Sequence, residues 1–115
     1  MADNCIFCKI ARGEIPATIV YQDERVVAFR DINPGAPVHI LIIPREHIAS
    51  AAEIDASNAA LVGYLLQIAA QIAKQENLVD SGYRVVTNIG ADAGQSVPHM
   101  HFHVLGGRQM AWPPG

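Results

Sequence analysis

Late in the chain, His99-Met100-His101-Phe102-His103-Val104 sets a histidine at every second position with an apolar residue after each. A helix cannot sort that pattern onto two faces, because its side chains recur about every 3.6 residues, whereas those of a strand recur every two. The segment therefore commits the chain to a sheet. His99, His101 and His103 would share one face at spacings of roughly 6.5–7 Å, with Met100, Phe102 and Val104 on a core face. Only five histidines occur in the 115 residues, and three lie in this row. The row admits three readings: the polar face of a surface strand, a set of zinc ligands, or a nucleophile flanked by proton carriers. The last draws on imidazole titrating near ~6.5, so that much of it is uncharged and nucleophilic at neutral pH.

Four further runs supply partners for that strand. "TIVYQ" and "RVVAFRDI", separated by "DE", read as a hairpin of β-branched and aromatic residues. "VHILIIP" is a continuous apolar strand ending at Pro44, central in its sheet, and "GYRVVTNIG" is a fourth strand. Between them the period changes. Leu61, Leu65, Ile68 and Ile72, widened by Val62, Ala69 and Ala73, mark one long helix from about Asp55 to Asn77, capped by Asp55 or Ser57. "NCIFCKIARGEIPA" suggests a short helical turn before Gly13 and Pro16, and "RQMAWPPG" is too proline-rich for regular structure. The order β-β-β-α-β-β favours an α+β domain, an antiparallel sheet with the helix on one face, over residues 1–115 without internal repeat or linker.

Composition narrows the function classes. Half the residues are hydrophobic and 17% charged, which argues against disorder. A formal net charge of −3 without a basic run disfavours a nucleic-acid polymer as partner but leaves room for a small anion in a local pocket. No apolar run reaches the ~20 residues of a membrane span, and "MADNCIFCKI" lacks the features of a signal peptide. The expected location is cytoplasmic. There, Cys5 and Cys8 are read as free thiols or metal ligands rather than a structural disulfide.

The Cys5-x-x-Cys8 pair lacks the βαβ context of a redox motif, but it forms half of a tetrahedral zinc site if two histidines converge on it. His47 and one end of the histidine row are available. His39, opening an apolar strand, reads either as a satisfied buried polar residue or as part of the site. "NIGADAGQS" offers small residues, accessible backbone N–H groups and the Ser96 hydroxyl to an anion, without the G-x-x-x-x-G-K-[ST] pattern of a P-loop.

Taken together, these segments resemble the histidine triad superfamily, whose signature of three histidines alternating with apolar residues stands here as His99 to Leu105. "FCKIARGEIPA", "AFRDINPGAPVHILIIPREHI", "GYRVVTNIG", "GQSV" and "HVLGGRQMAWPPG" extend the likeness to the Hint branch, the histidine triad nucleotide-binding proteins, over nearly the whole chain. That resemblance implies a five-stranded antiparallel sheet with one long and one short N-terminal helix, paired in a homodimer into ten strands. It implies hydrolysis of purine nucleoside 5′-phosphoramidates to the nucleoside monophosphate and an amine, with His101 attacking phosphorus to form a nucleotidyl-histidine. His39 would orient the reactive ring, His103 would bind a phosphate oxygen, and Ser96 would serve the leaving group, with water relayed by His99 or His103. Asn88 and Gln95 would hold the phosphate, Asp31 the ribose, and Ile6, Phe7, Ile10, Phe29 and Ile32 the base. It further implies a structural zinc on Cys5, Cys8, His47 and His99, and no organic cofactor. Two other activities stay open: a nucleotide-binding regulatory module with little turnover, and a zinc-dependent hydrolase using the triad as ligands. Ala111, before Trp112, stands where some relatives carry histidine, which leaves the amine unspecified.

Overall fold

Alternation within the strands builds a sheet that is covered on both faces. The computed structural model describes residues 4–115; Met1–Asp3, the start of the segment read as lacking signal-peptide features, lie outside the described residues. The elements run α1 (Ile6–Ala11), β1 (Ile19–Gln22), β2 (Val26–Arg30), β3 (Val38–Pro44), α2 (Ala59–Gln75), β4 (Tyr83–Val86) and β5 (Phe102–Gly106), with a 3-10 turn at Ala51–Glu53. The five strands form one antiparallel sheet in the order β1-β2-β3-β5-β4, so "VHILIIP" is central as its apolar run requires. No helix among the described residues is long and apolar enough to cross a membrane.

On one face Val26, Ala28, Ile40, Ile42, Phe102 and Val104 pack against Leu61, Leu65, Ile68 and Ile72 of α2. These are the positions that the period of two and the period of 3.6 select. Each fully buried leucine or isoleucine contributes about 1.5–3 kcal/mol, which makes this layer the main source of cohesion. On the other face Val27, Phe29, Leu41 and Ile43 meet Cys5, Phe7, Cys8 and Ile10 at α1. A six-residue helix has too few internal hydrogen bonds to stand alone. It is held by Cys5, whose Sγ accepts the Cys8 N–H at 3.3 Å, and by Arg45, whose Nη1 donates to Ala11 O at 2.5 Å.

Two boundaries differ from the sequence reading. The long helix begins at Ala59, because Asp55 caps a preceding turn instead. Its Oδ1 accepts from the Ser57 N–H, and its N–H donates to Asn58 Oδ1. The last strand begins at Phe102, so His99 and His101 precede it. The β3–β5 register pairs Ile42 with Phe102; two residues further along, it would set Pro44 opposite Met100. Proline has no N–H to give the ladder, and pairing stops there. Met100 N–H donates to Ile48 O and His99 N–H turns back to Val97 O. The three histidines are consequently not a straight row.

Candidate active site and metal-ligand cluster

The break in β5 sends the three triad rings to different partners. His99 is fully buried and turns toward α1. Its Nδ1 lies 3.2 Å from Cys5 Sγ and 3.5 Å from Cys8 Sγ, while Cys8 Sγ lies 3.3 Å from His47 Nδ1. The ligand atoms of Cys5, Cys8, His47 and His99 all fall within 4.8 Å of one another and could hold a metal ion. Tetrahedral zinc with bonds of about 2.3 Å to sulfur and 2.0–2.1 Å to nitrogen would need sulfur–nitrogen separations of about 3.5 Å. The residues present fit that requirement. The outer shell fits as well. His99 Nε2–H donates to Pro44 O at 2.8 Å, which leaves the Nδ1 lone pair aimed at the thiols. With no metal bound, burial and the adjacent Cys5 thiol push Cys8 up to about 11, and burial pushes His99 down. A cation would reverse the thiol's preference.

His101 turns the other way. Its Nδ1–H donates to the backbone carbonyl of His99 at 2.7 Å, so in the neutral ring the lone pair sits on Nε2. Phe7 meets the ring edge-on at 5.0 Å, and Thr87 Oγ1 anchors the His101 carbonyl from the end of β4. The His101 and His103 rings lie 5.0 Å apart.

His103 belongs to a second chain of hydrogen bonds. The Gly35 N–H donates to His39 Nδ1 at 2.9 Å, which makes Nε2 the protonated nitrogen of His39. That Nε2 lies 2.9 Å from His103 Nδ1 and 3.5 Å from Asp31 Oδ2. With His39 donating to His103 Nδ1, a neutral His103 must carry its proton on Nε2. Burial above all, then the neighbouring His101 and His39, push His103 down to about 4, so it is neutral at pH 7. Its Nε2 is the one buried side-chain nitrogen or oxygen without a partner among the described residues. A buried N–H left unpaired costs about 1–3 kcal/mol, and a ligand that accepts from it recovers that cost. His39 therefore orients His103 rather than the ring of His101, contrary to the sequence reading.

These rings open on a cavity of about 260 Å³ between α1 and the sheet. Ile6, Phe7, Ile10, Phe29, Asp31, Ile32, Ser96, His101 and His103 all line it. Phe7 and Phe29 meet edge to face at 5.6 Å, while Ile32, 91% exposed, stands at the rim. Asp31 Oδ1 accepts the Asn33 N–H, which fixes the carboxylate and leaves lone pairs on both oxygens. Asn88 and Gln95 do not line the cavity. Gln95 has no free amide atom for a phosphate: Oε1 accepts from the Gly90 N–H, and Nε2 donates to Ala49 O and Val97 O. It ties the "NIGADAGQS" loop shut instead. Sequence reasoning missed Ile15, Pro16, Ala17, Leu41 and Val97 as lining residues. Leu41 was readable, since it shares the alternation of His39 and Ile43 on β3; the others enter through loop geometry, which has no period.

Comparison with known proteins agrees with this geometry. Residues 12–110 match the HIT domain. The chain is 48% identical over 110 residues to the purine nucleoside phosphoramidase of Escherichia coli, covering 96% of this chain and 92% of that one. It is 56% identical over 112 residues to a 14 kDa zinc-binding protein of Zea mays, covering 96% and 87%. Among solved structures, a HIT family hydrolase from Legionella pneumophila superposes with a TM-score of 0.96 at 52% identity, covering 97% of this chain and all of that one.

Proposed function

This chain belongs to the HIT domain family, and from that premise we propose that it is a purine nucleoside phosphoramidase that works through a nucleotide bound covalently to His101. The observation that carries the reading is the pair of opposed tautomers on one cavity: a bare Nε2 on His101 and a partnerless N–H on His103. A phosphoryl centre between them meets a nucleophile and a donor to its oxygen. Support for the substrate comes from the E. coli relative named above.

In this mechanism Phe7, Phe29, Ile6, Ile10 and Ile32 hold the base, and Asp31 accepts the ribose hydroxyls. The His101 Nε2 lone pair forms a bond to phosphorus as the P–N bond breaks, and the leaving nitrogen takes up a proton to depart as the amine. Ser96, on the cavity wall, passes a solvent proton to that nitrogen, its hydroxyl taking one from water as it gives up its own. Water then attacks phosphorus, the P–Nε2 bond breaks, and the nucleoside monophosphate leaves with His101 again neutral. The Nδ1–H···O bond to the His99 carbonyl stabilises the positive charge that the attacking ring acquires as it bonds to phosphorus. Gln95 acts by shaping the loop beside the phosphate rather than by touching it.

Cys5, Cys8, His47 and His99 would hold zinc in a closed four-ligand site, where the ion supplies cross-linking of α1 to the sheet and not a reacting water. A metal held jointly by all three triad histidines finds no support, since among the described residues His99 groups with Cys5, Cys8 and His47, His103 groups with Asp31 and His39, and no cluster of possible ligands contains all three. A homodimer is part of the proposal: β4 is an edge strand, and it carries the exposed Tyr83 and Val85, with Leu66 exposed on α2. Pairing two such edges would join ten strands. The cytoplasm remains the proposed location.

The test is single-turnover reaction with adenosine 5′-phosphoramidate, alkaline denaturing quench, since the P–N bond is labile in acid, and peptide mass analysis at high pH. A nucleotide adduct on His101 is expected, and His101→Ala should lose at least about 10⁴-fold in kcat/KM while still binding AMP. AMP release at the parental rate by His101→Ala would overturn the covalent scheme. AMP binding without hydrolysis of any phosphoramidate would favour the regulatory-module reading.

A further inference from the structure

A second cavity of about 470 Å³, larger than the nucleoside cavity, lies against the site. Ile6, Ser96 and Val97 line both cavities, so the two meet at the residue assigned to the leaving nitrogen. Beyond them the second cavity is walled by Asn4, Cys5, His47, Ala49 and Pro98, and no lysine, arginine, aspartate or glutamate lines it among the described residues. His101 does not line it either.

Direction decides what it can hold. In a displacement at phosphorus the entering and departing atoms lie roughly in line, so a group leaving as His101 enters departs away from His101, and the second cavity, which shares Ser96 with the first and is not lined by His101, gives it room. The nucleoside end of the substrate is already taken up on the Phe7, Phe29 and Asp31 side. We propose that the cavity walled by Ile6, Ala49, Ser96, Val97 and Pro98 is a leaving-group subsite for amines bearing an uncharged, apolar body larger than ammonia. The proposal rests on the phosphoramidase reading and names its substrate class. A charge on that body would find no side chain of opposite sign among the described residues, whereas each methylene buried there is worth up to about a fourfold gain. The amine of the natural substrate is then set by this wall rather than by the nucleoside pocket.

The experiment compares adenosine 5′-phosphoramidates of methylamine, hexylamine and 6-aminohexanoate, whose leaving nitrogens are all primary alkylamines. We expect kcat/KM for the hexyl compound to exceed that for the methyl compound by at least about tenfold, and to exceed the carboxylate-bearing compound by a similar factor. In Ala49→Phe, which fills the cavity, the hexyl-to-methyl ratio should fall toward one. Equal kcat/KM for the methyl and hexyl compounds with the unmodified protein, or a ratio that Ala49→Phe leaves unchanged, overturns the subsite while the phosphoramidase reading stands. Failure to hydrolyse any of the three overturns that reading, and the subsite with it.

Discussion

The two faces of the sheet are built from the same strands and do opposite work. Toward α2 the strands bury Val26, Ala28, Ile40, Ile42, Phe102 and Val104, all aliphatic or aromatic, and the contact partners come from a seventeen-residue helix. Toward α1 the same strands present His39, Leu41, Ile43 and His103 to a helix of six residues, and the gap becomes a cavity lined by polar groups. The first face has nothing left to satisfy. The second keeps an unpaired N–H on His103 and four ligand atoms converging within 4.8 Å of one another. Stability is concentrated on one side and chemistry on the other, so that the reactive side can be imperfect without unfolding the whole.

That division can be broken first on the α2 side. Ile72 is fully buried, and Ile72→Ala should lower the free energy of unfolding by about 2–5 kcal/mol. In the fraction that remains folded, kcat/KM should hold within about twofold. A large kinetic loss, measured below the unfolding transition, would show that the faces are not separable. Metal removal comes next. For zinc present at a hundred to a thousand times its Kd, stripping it should reduce stability by about 3–4 kcal/mol. Calorimetry with and without chelator reads this directly, and Cys8→Ser should show no chelator effect. An unchanged Tm after chelation would mean that α1 is held by its apolar contacts and Arg45 alone.

The smallest effect is a pH dependence. His103 is held at about 4 against an ordinary 6.5. Its folded form stays neutral where the unfolded chain already binds a proton. Its contribution to stability is therefore complete above pH 6.5 and is lost as pH falls toward 4. With part of the ring near solvent, the loss amounts to about 1–2 kcal/mol. Urea titrations across that window should show the slope in the parental protein and a shallower one in His103→Asn. A stability profile flat from pH 7 to 4.5 would contradict the assigned neutral ring.

The fold was largely legible because both of its helices and all five strands announce themselves through a period or a breaker. The β-branched and apolar runs mark β2 and β3, and the spacing of Leu61, Leu65, Ile68 and Ile72 selects the buried stripe of α2; which of Val26 to Ile43 face α2 and which face α1 follows from the alternation of the strands in the structure. The site was legible only in part. Alternation put His99 in line with His101, but it could not register that Pro44, 55 residues earlier, would face that stretch and end the ladder. Gln95 was misjudged for a related reason: an amide in a small-residue loop looks available until its three partners on Gly90, Ala49 and Val97 are known. Pairings across distant loops leave no local period to read.

The most direct test of the account concerns the configuration at phosphorus. A substrate made chiral there with sulfur in place of one oxygen should be hydrolysed in oxygen-18 water with net retention, because displacement by His101 and displacement by water each invert the centre. Net inversion would mean that water attacks once and that no bond to the imidazole is ever made.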